Sequence, residues 1–212
     1  MKVRAVVPCH AEAPDAALLA RVARAVDGVL VVDDGLPPGE AARLDGAAVL
    51  RLGANHGKGT AVARGAERAV AEGADAVLVV DGDGQHPPSA IPAFLEAARD
   101  AELVIGNRFG DLGGIPLVRR AANLAASAAL AVVARRRVAD SQCGMRLLRG
   151  RALHEVPPPT GGFEAETLHL KRCLRAGVPV AWVPIPAIYD GERSSFRPLR
   201  DAASIAWALV AR

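Results

Sequence analysis

The chain has 212 residues and a formal net charge of +3, and 51% of its residues are hydrophobic while only 3% are aromatic. That length can bury a core without disulfide or metal staples. The alanine-rich, aromatic-poor composition points to helices packed closely on a sheet, and a charge this modest gives no reason to expect a nucleic-acid partner. Of the 26 basic residues only Lys2, Lys58 and Lys171 are lysines. Cys9, Cys143 and Cys173 are far apart and odd in number, which fits neither a disulfide framework nor zinc-ligand spacing and reads as a reducing cytoplasm. Met1 runs directly into a strand-like segment, so no signal peptide is expected. The longest apolar stretch, 121–134, is broken by Asn123 and Ser127 and falls short of the roughly 20 residues of a membrane span. The expectation is a cytoplasmic chain, soluble or peripheral on the inner face of the membrane.

Taken in order, Val3-Arg4-Ala5-Val6-Val7 is a β-type run that Pro8 should stop. Asp15 then opens a helical pattern carrying Leu18, Leu19, Val22 and Val26, closed by Gly28. A second apolar strand, 29–32, ends in Asp33-Asp34-Gly35. Pro37-Pro38-Gly39 begins a loop before a short helix at 40–44. A third strand at 48–52 leads into Gly53-Ala54-Asn55-His56-Gly57-Lys58-Gly59 and an amphipathic helix over 60–72. The fourth strand, 77–80, is followed by a helix at 89–100, and the fifth strand by position is 103–106. A loop at 110–114, a helix at 118–135, a helix at 167–176 and a late strand at 178–183 complete the pattern. Pro184 and Pro186 bar that last strand from a central place, and 199–212 reads as an amphipathic helix.

Strands alternating with helices predict βαβ units in a mainly parallel sheet. Ligands of such sheets bind beyond the carboxyl ends of the strands, near the switch in strand order. The polar clusters fall at those ends: residues 8–12, Asp33-Asp34, 55–59, 81–86 and Asn107-Arg108. The segment after the first strand lacks the G-x-G-x-x-G of a dinucleotide site. The Gly53-to-Thr60 turn also fails the P-loop pattern, because three residues rather than four separate Gly53 from Gly57 and Gly59 follows Lys58. In Asp81-Gly82-Asp83-Gly84-Gln85, an extended backbone would aim Asp81, Asp83 and Gln85 in one direction. Three hard oxygen donors suit Mg²⁺ or Mn²⁺ with positions left open for phosphate, and the glycines admit a bulky anion close to the backbone.

These motifs, in this order, resemble a family 2 inverting glycosyltransferase of GT-A fold, near the dolichyl-phosphate mannose synthase and polyprenyl-phosphate sugar transferase branch. The resemblance rests on residues 7–12, on Val31-Val32-Asp33-Asp34-Gly35, and on Asn55-His56-Gly57-Lys58-Gly59 with Ala61 and Gly65. It rests further on Asp81 to Pro88, on Asp140-Ser141-Gln142-Cys143-Gly144-Met145-Arg146, and on Tyr189 with Ser194-Ser195-Phe196-Arg197-Pro198. His10 and Ala11 stand where the family pattern has Tyr and Asn, and Leu36 where it has Ser.

The resemblance implies a Rossmann-like, mainly parallel sheet flanked by helices in a single domain over 1–212. Residues 1–107 would form the nucleotide-sugar half and 108–212 the acceptor half. Pro8, His10, Glu12 and Asp33 would line the nucleoside pocket, with Asp34 beside it and Lys58 and Asp81 near the sugar nucleotide. Asp81, Asp83 and Gln85 would hold Mg²⁺ or Mn²⁺, while Asp83, Arg108 and Asp140 would surround the reacting sugar. Arg108, Arg119, Arg120, Asn123 and Gln142 would receive a lipid-phosphate acceptor, an anion that the arginine fork binds bidentately. Glu164 and Glu166 begin a helix, where acids favour the dipole regardless of function, and Arg135-Arg136-Arg137 reads as a solvated run or a contact to an anionic membrane surface. Two other readings stay open: a transferase of this fold acting on a sugar or glycerate hydroxyl, and a nucleotide-sugar-binding protein without catalysis.

Overall fold

The computed structural model describes residues 1–110 and 117–188, with the backbone alone at 117–119. The loop at 111–114, the Arg119 side chain, the segment from Tyr189 to Pro198 and the helix expected over 199–212 lie outside the described residues. Among the described residues seven strands form one sheet: β1 (Val3–Cys9), β2 (Gly28–Asp33), β3 (Val49–Arg51), β4 (Ala76–Val79), β5 (Leu103–Asn107), β6 (Arg146–Arg149) and β7 (Val180–Pro184). Their order is β3-β2-β1-β4-β6-β5-β7, and every pairing is parallel except those of β6 with β4 and β5. The chain builds outward from β1 to β3 and then returns to lay β4 on the other side of β1. The crevice between β1 and β4 is therefore the switch point at which such sheets bind ligands.

Local chemistry accounts for most of the elements. The Asp15 side chain accepts from the Ala17 amide at 3.1 Å and caps α1 (Ala16–Ala23), whose Leu18 and Val22 are buried. The helix ends before Gly28, which instead opens β2. Proline at the start suits α2 (Pro38–Ala42). The fully buried, Val-rich β4 follows α3 (Lys58–Ala71), which crosses β1 and β2 so closely that a Cβ on Gly65 would stand 2.5 Å from Val6 and 2.9 Å from Val32. A 3₁₀ turn at Pro88–Ala90 leads into α4 (Ile91–Ala97), which buries Ile91 and Phe94. The 18-residue α5 (Leu117–Ala134) packs along α7 (Glu164–Arg175), and the one-turn α6 (Arg151–His154) lies between them in sequence.

Three expectations are corrected. Pro8 does not end β1, because it pairs with Val32 within the strand. Alternate residues of β1 face β4, and on that side the ladder has already closed with the Val80 amide donating to the Val6 carbonyl. Pro8, which lacks the N–H that would carry this ladder further, therefore sits where the β4 pairing stops while the β2 pairing continues to Cys9. Second, β6 and α6 were not expected. Arg146-Leu147-Leu148-Arg149 has little intrinsic strand preference, and its position between β4 and β5 makes it a strand. Third, residues 81–85 are not extended. The chain turns through Gly82-Asp83, with Gly84 at φ 77°, and Asp83 Oδ1 accepts from the Gln85 amide at 3.0 Å. Strand alternation thus does not aim Asp81, Asp83 and Gln85 together, and any convergence has to come from the turn. The edge position expected for the last strand holds among the described residues, where β7 pairs only with β5.

Candidate active site

The carboxyl ends of β1, β2, β4 and β5 open onto one rim. Because β6 runs antiparallel, its first residue lies at the same rim, where Arg146 pairs with Val79 and Ile105. The 140–145 loop thereby reaches over the end of β4. Gly144 lies there, and a Cβ on it would stand 2.6 Å from both Asp81 Oδ2 and Lys58 Nζ. Only glycine lets the loop cover this pair.

Lys58 is the centre of the charge arrangement. Its Nζ lies 2.8 Å from Asp81 Oδ1, donates to Asp81 Oδ2 at 2.8 Å and reaches Glu166 Oε1 at 2.8 Å, with the Phe163 ring centroid 5.9 Å away. Burial opposes its charge, yet the Asp81 and Glu166 carboxylates more than offset that and raise its pKa. Burial likewise opposes the Asp81 carboxylate, but Lys58 first and His86 second bring it down to about 2. The Asp81 amide donates to His86 Nδ1 at 3.0 Å, so the proton of the buried imidazole sits on Nε2. Burial, only partly opposed by the Asp81 charge, lowers the His86 pKa and keeps the ring neutral. Asp83 is exposed on the turn, and its pKa is raised by local desolvation first and by the Asp81 charge second.

Across the rim, Arg108 follows β5 and lays its fork on Asp140. Nε donates to Oδ2 at 2.7 Å and Nη2 to Oδ1 at 2.9 Å, and the Arg108 amide adds a bond at 3.3 Å. The Gln142 amide also donates to Oδ1 at 3.0 Å. Asp140, expected near the reacting sugar, is fully buried and holds the guanidinium in place. Gln142 Nε2 donates to Thr167 Oγ1 at 2.7 Å, which ties the loop to α7. Arg146 braces the same loop, donating to the carbonyls of Ser141, Cys143 and Glu166.

The residues expected to line the nucleoside pocket form a second, adjoining cluster. Asp33 Oδ1 accepts from the amides of Gly35 and Leu36, and Oδ2 pairs with Arg51 at 2.9 Å. Asp34 accepts from the amides of His56 at 2.7 Å and Gly57 at 3.0 Å. Both carboxylates therefore shape the loops around the crevice where the nucleoside pocket was expected. His10 Nε2 meets Asn55 Nδ2 at 2.8 Å and Nδ1 meets the Asp34 carbonyl at 2.9 Å. The amide can only donate, so the His10 proton is on Nδ1. Pro8 is half-buried, and its carbonyl would lie 3.4 Å from a Cβ on Gly82, so the ends of β1 and β4 touch at the switch point. Glu12 is exposed on the loop after β1, and Arg120 and Asn123 are half-buried on the first turns of α5.

Sequence reasoning missed Glu166 as the second anchor of Lys58, the neutral His86 beneath Asp81, and Gly144 above them. The glycines around Lys58 were the available signal for the first. A Cβ on Gly57 or Gly59 would run into the Gly161 carbonyl at 2.7 and 2.9 Å, and the Thr60 amide donates to that same carbonyl at 3.1 Å. The start of α3 is thus docked against the loop that delivers Glu166.

The fold is that of a GT-A glycosyltransferase. Glucosyl-3-phosphoglycerate synthase from Mycobacterium tuberculosis, crystallised with Mn²⁺ and UDP, superposes with a TM-score of 0.70 at 20% identity, over 99% of this chain and 77% of that one. Mannosyl-3-phosphoglycerate synthase from Rubrobacter xylanophilus gives 0.70 at 22% identity, over 99% and 72%. Residues 5–156 match the model of glycosyl transferase family 2, and the chain belongs to that family. It is 30% identical over 203 residues to the undecaprenyl-phosphate mannosyltransferase of Micrococcus luteus, covering 87% of this chain and 83% of the relative. It is also 32% identical over 121 residues to the dolichol-phosphate mannosyltransferase of Pyrococcus furiosus, covering 51% and 34%.

Proposed function

We propose that the enzyme moves a hexose from a nucleoside diphosphate sugar, of GDP-mannose or UDP-glucose type, to a polyprenyl-phosphate-like lipid in one inverting displacement with Mg²⁺ or Mn²⁺. The observation that carries this is the pairing of two charge devices on one rim: Lys58 with Asp81 at the switch point, and the Arg108 fork on buried Asp140. The first suits a diphosphate and the second an acceptor anion. The likeness to the Micrococcus luteus enzyme favours the same acceptor class.

The residues at the lip of β4 fit a hard divalent ion. Asp81 Oδ1 is buried and takes no hydrogen bond among the described residues, although Lys58 Nζ is near it. Asp83 is exposed beside it, with its pKa raised partly by the Asp81 charge. No three His, Cys, Asp or Glu side chains converge among the described residues. The donor set is therefore two carboxylates with the Gln85 amide, a sparse set of the kind that leaves room for phosphate oxygens. When bound there, the ion supplies charge neutralisation for the departing diphosphate.

The chain's own residues do the rest. Lys58 holds Asp81 at the crevice and presents positive charge where the diphosphate enters. Arg108, fixed in plane by Asp140, orients an acceptor phosphate toward the anomeric carbon, and Arg120 and Asn123 on α5 line its approach. An acceptor phosphate oxygen is already anionic at neutral pH, so the new bond forms at the anomeric carbon as the bond to the β-phosphate breaks, its electron pair leaving with the nucleoside diphosphate. No general base is needed, only positioning and screening. Glu166, which a hydroxyl acceptor could use as a base, instead has an oxygen 2.8 Å from Lys58.

Release of nucleoside diphosphate from GDP-mannose, UDP-glucose and related donors, measured with Mn²⁺ or Mg²⁺, tests the proposal. Release that rises only with undecaprenyl phosphate supports it. Release driven by glycerate or a free sugar overturns the acceptor, and donor binding without any release overturns catalysis.

A further inference from the structure

α5 is apolar nearly all round, and its outward face carries no polar residue between its flanking arginines. A surface helix ordinarily turns polar residues to water and apolar ones to the core. Between residues 121 and 134 the only polar residues are Asn123 and Ser127, and both belong to the inner face. Ser127 is buried and bonded to Ser141 through its hydroxyl at 3.1 Å and the Ser141 amide at 3.0 Å, one turn from fully buried Leu130, while Asn123 is half-buried. The outer arc is wholly apolar: Leu124 is 42% exposed, Val132 77% and Val133 39%, with Ala125 and Ala128 exposed between them. An uninterrupted apolar face of this kind marks a contact surface.

Charge at the two ends identifies what the face contacts. Residues 117–139 contain no Asp or Glu, and their charged residues are all arginines: Arg119 and Arg120 at the start, Arg135, Arg136 and Arg137 at the end. The last three are exposed, and Arg135 at φ 51° turns the chain just beyond the helix. A second copy of α5 is a poor occupant. Antiparallel pairing sets the 135–137 run of one copy against the 119–120 pair of the other, and parallel pairing sets like against like at both ends. An anionic bilayer accepts this pattern, with arginines at the headgroups and the Ala, Leu and Val arc at the acyl boundary. No described helix is long and apolar enough to cross a membrane, so the helix would lie flat.

We propose that the outer face of α5 docks on the surface of an anionic membrane, bringing the Arg108 rim to the bilayer from which a lipid phosphate is taken. The docking deepens the acceptor reading above and rests on it for its purpose, but not for its measurement.

All three native cysteines are buried, so a Val132→Cys variant of the full chain carries one accessible thiol for an environment-sensitive fluorophore. Its emission should shift to the blue with vesicles of phosphatidylcholine and phosphatidylglycerol, and not with phosphatidylcholine alone. Emission already blue without lipid, from a second copy or another part of the chain, overturns the proposal, as does emission unchanged by anionic vesicles. Val132→Glu should lower vesicle partitioning about tenfold or more, and each of Arg135→Ser, Arg136→Ser and Arg137→Ser roughly fivefold. Unchanged partitioning in all of these overturns it as well. Neither measurement contains an acceptor lipid. If the native chain docks but transfers no sugar, the acceptor reading fails and the docking surface stands.

Discussion

Arg108 and Asp140 meet as a planar fork, two side-chain bonds of 2.7 and 2.9 Å on a carboxylate with no exposed surface. Two charges 32 residues apart in sequence thus act as one group. Asp140→Ala should cost about 3 kcal/mol of stability, because Arg108 loses its counter-charge. It should also lower kcat/KM on the order of a hundredfold, mainly through the acceptor KM, because the guanidinium is no longer held in plane. The Arg108→Ala, Asp140→Ala double variant should cost little more than either single one in a denaturation and kinetic cycle.

Lys58 ties β4 to α7. Lys58→Met leaves Asp81 and Glu166 without their cation, and a loss of about 2 kcal/mol is expected for a pair still partly in contact with water. Glu166→Gln should weaken donor binding several-fold by freeing Lys58 on one side. The lipid-phosphate reading alone would make Glu166 dispensable, so a moderate defect here reports the ion pair and not a catalytic base. Calorimetric titration of the donor, compared with turnover, separates the two.

Gly144→Ala tests how tightly the 140–145 loop covers that ion pair. The new methyl would stand 2.6 Å from Lys58 Nζ and Asp81 Oδ2, and Lys58 cannot withdraw without breaking its bonds. A roughly hundredfold fall in kcat/KM is expected from a displacement on the order of an ångström, with the far-ultraviolet circular dichroism unchanged.

Removing divalent ions with a chelator should abolish the rise in melting temperature that a matched donor gives by mass action. Asp83→Asn should do the same with Mn²⁺ present. Asp83 is exposed, so this variant should keep the melting temperature of the ligand-free chain within a degree or so.

His169 supplies a pH prediction away from the rim. Its Nε2 lies 2.7 Å from the Val156 carbonyl and 3.1 Å from that of Ala152, and burial first, then the Arg146 charge, lowers its pKa from 6.5 to about 4. The unfolded chain therefore binds the proton at higher pH than the folded one. Stability is full above about pH 6.5 and falls as the pH drops toward 4, by roughly 3 kcal/mol in all. Buried His86, also lowered, adds to the same slope. Melting curves between pH 7 and 4 should show it, and His169→Gln should flatten most of it.

Much of the fold was legible because its first five strands announce themselves locally. Val-rich runs, the Asp15 cap and the glycines around Lys58 each answer to chemistry within a few residues. The rim was legible for the same reason, since its polar clusters follow those strands. What stayed hidden is non-local. Arg146-Leu147-Leu148-Arg149 becomes a strand only because β4 and β5 leave a gap for it. Lys58 finds Glu166 across 108 positions, and the glycines beside Lys58 signal a close approach without saying to what. The loop amides that fold back onto Asp33 and Asp34 leave no trace in the order of residues either.

The inserted β6 fixes how this enzyme can be taken apart. A strand from the second half of the chain fills the space between two strands of the first, so a cut near residue 108 strips β4 and β5 of a shared neighbour and bares both their edges. The parts of the chain before and after residue 108 are consequently not exchangeable modules. A change of acceptor has to be made in the loops at the rim, with the sheet left whole.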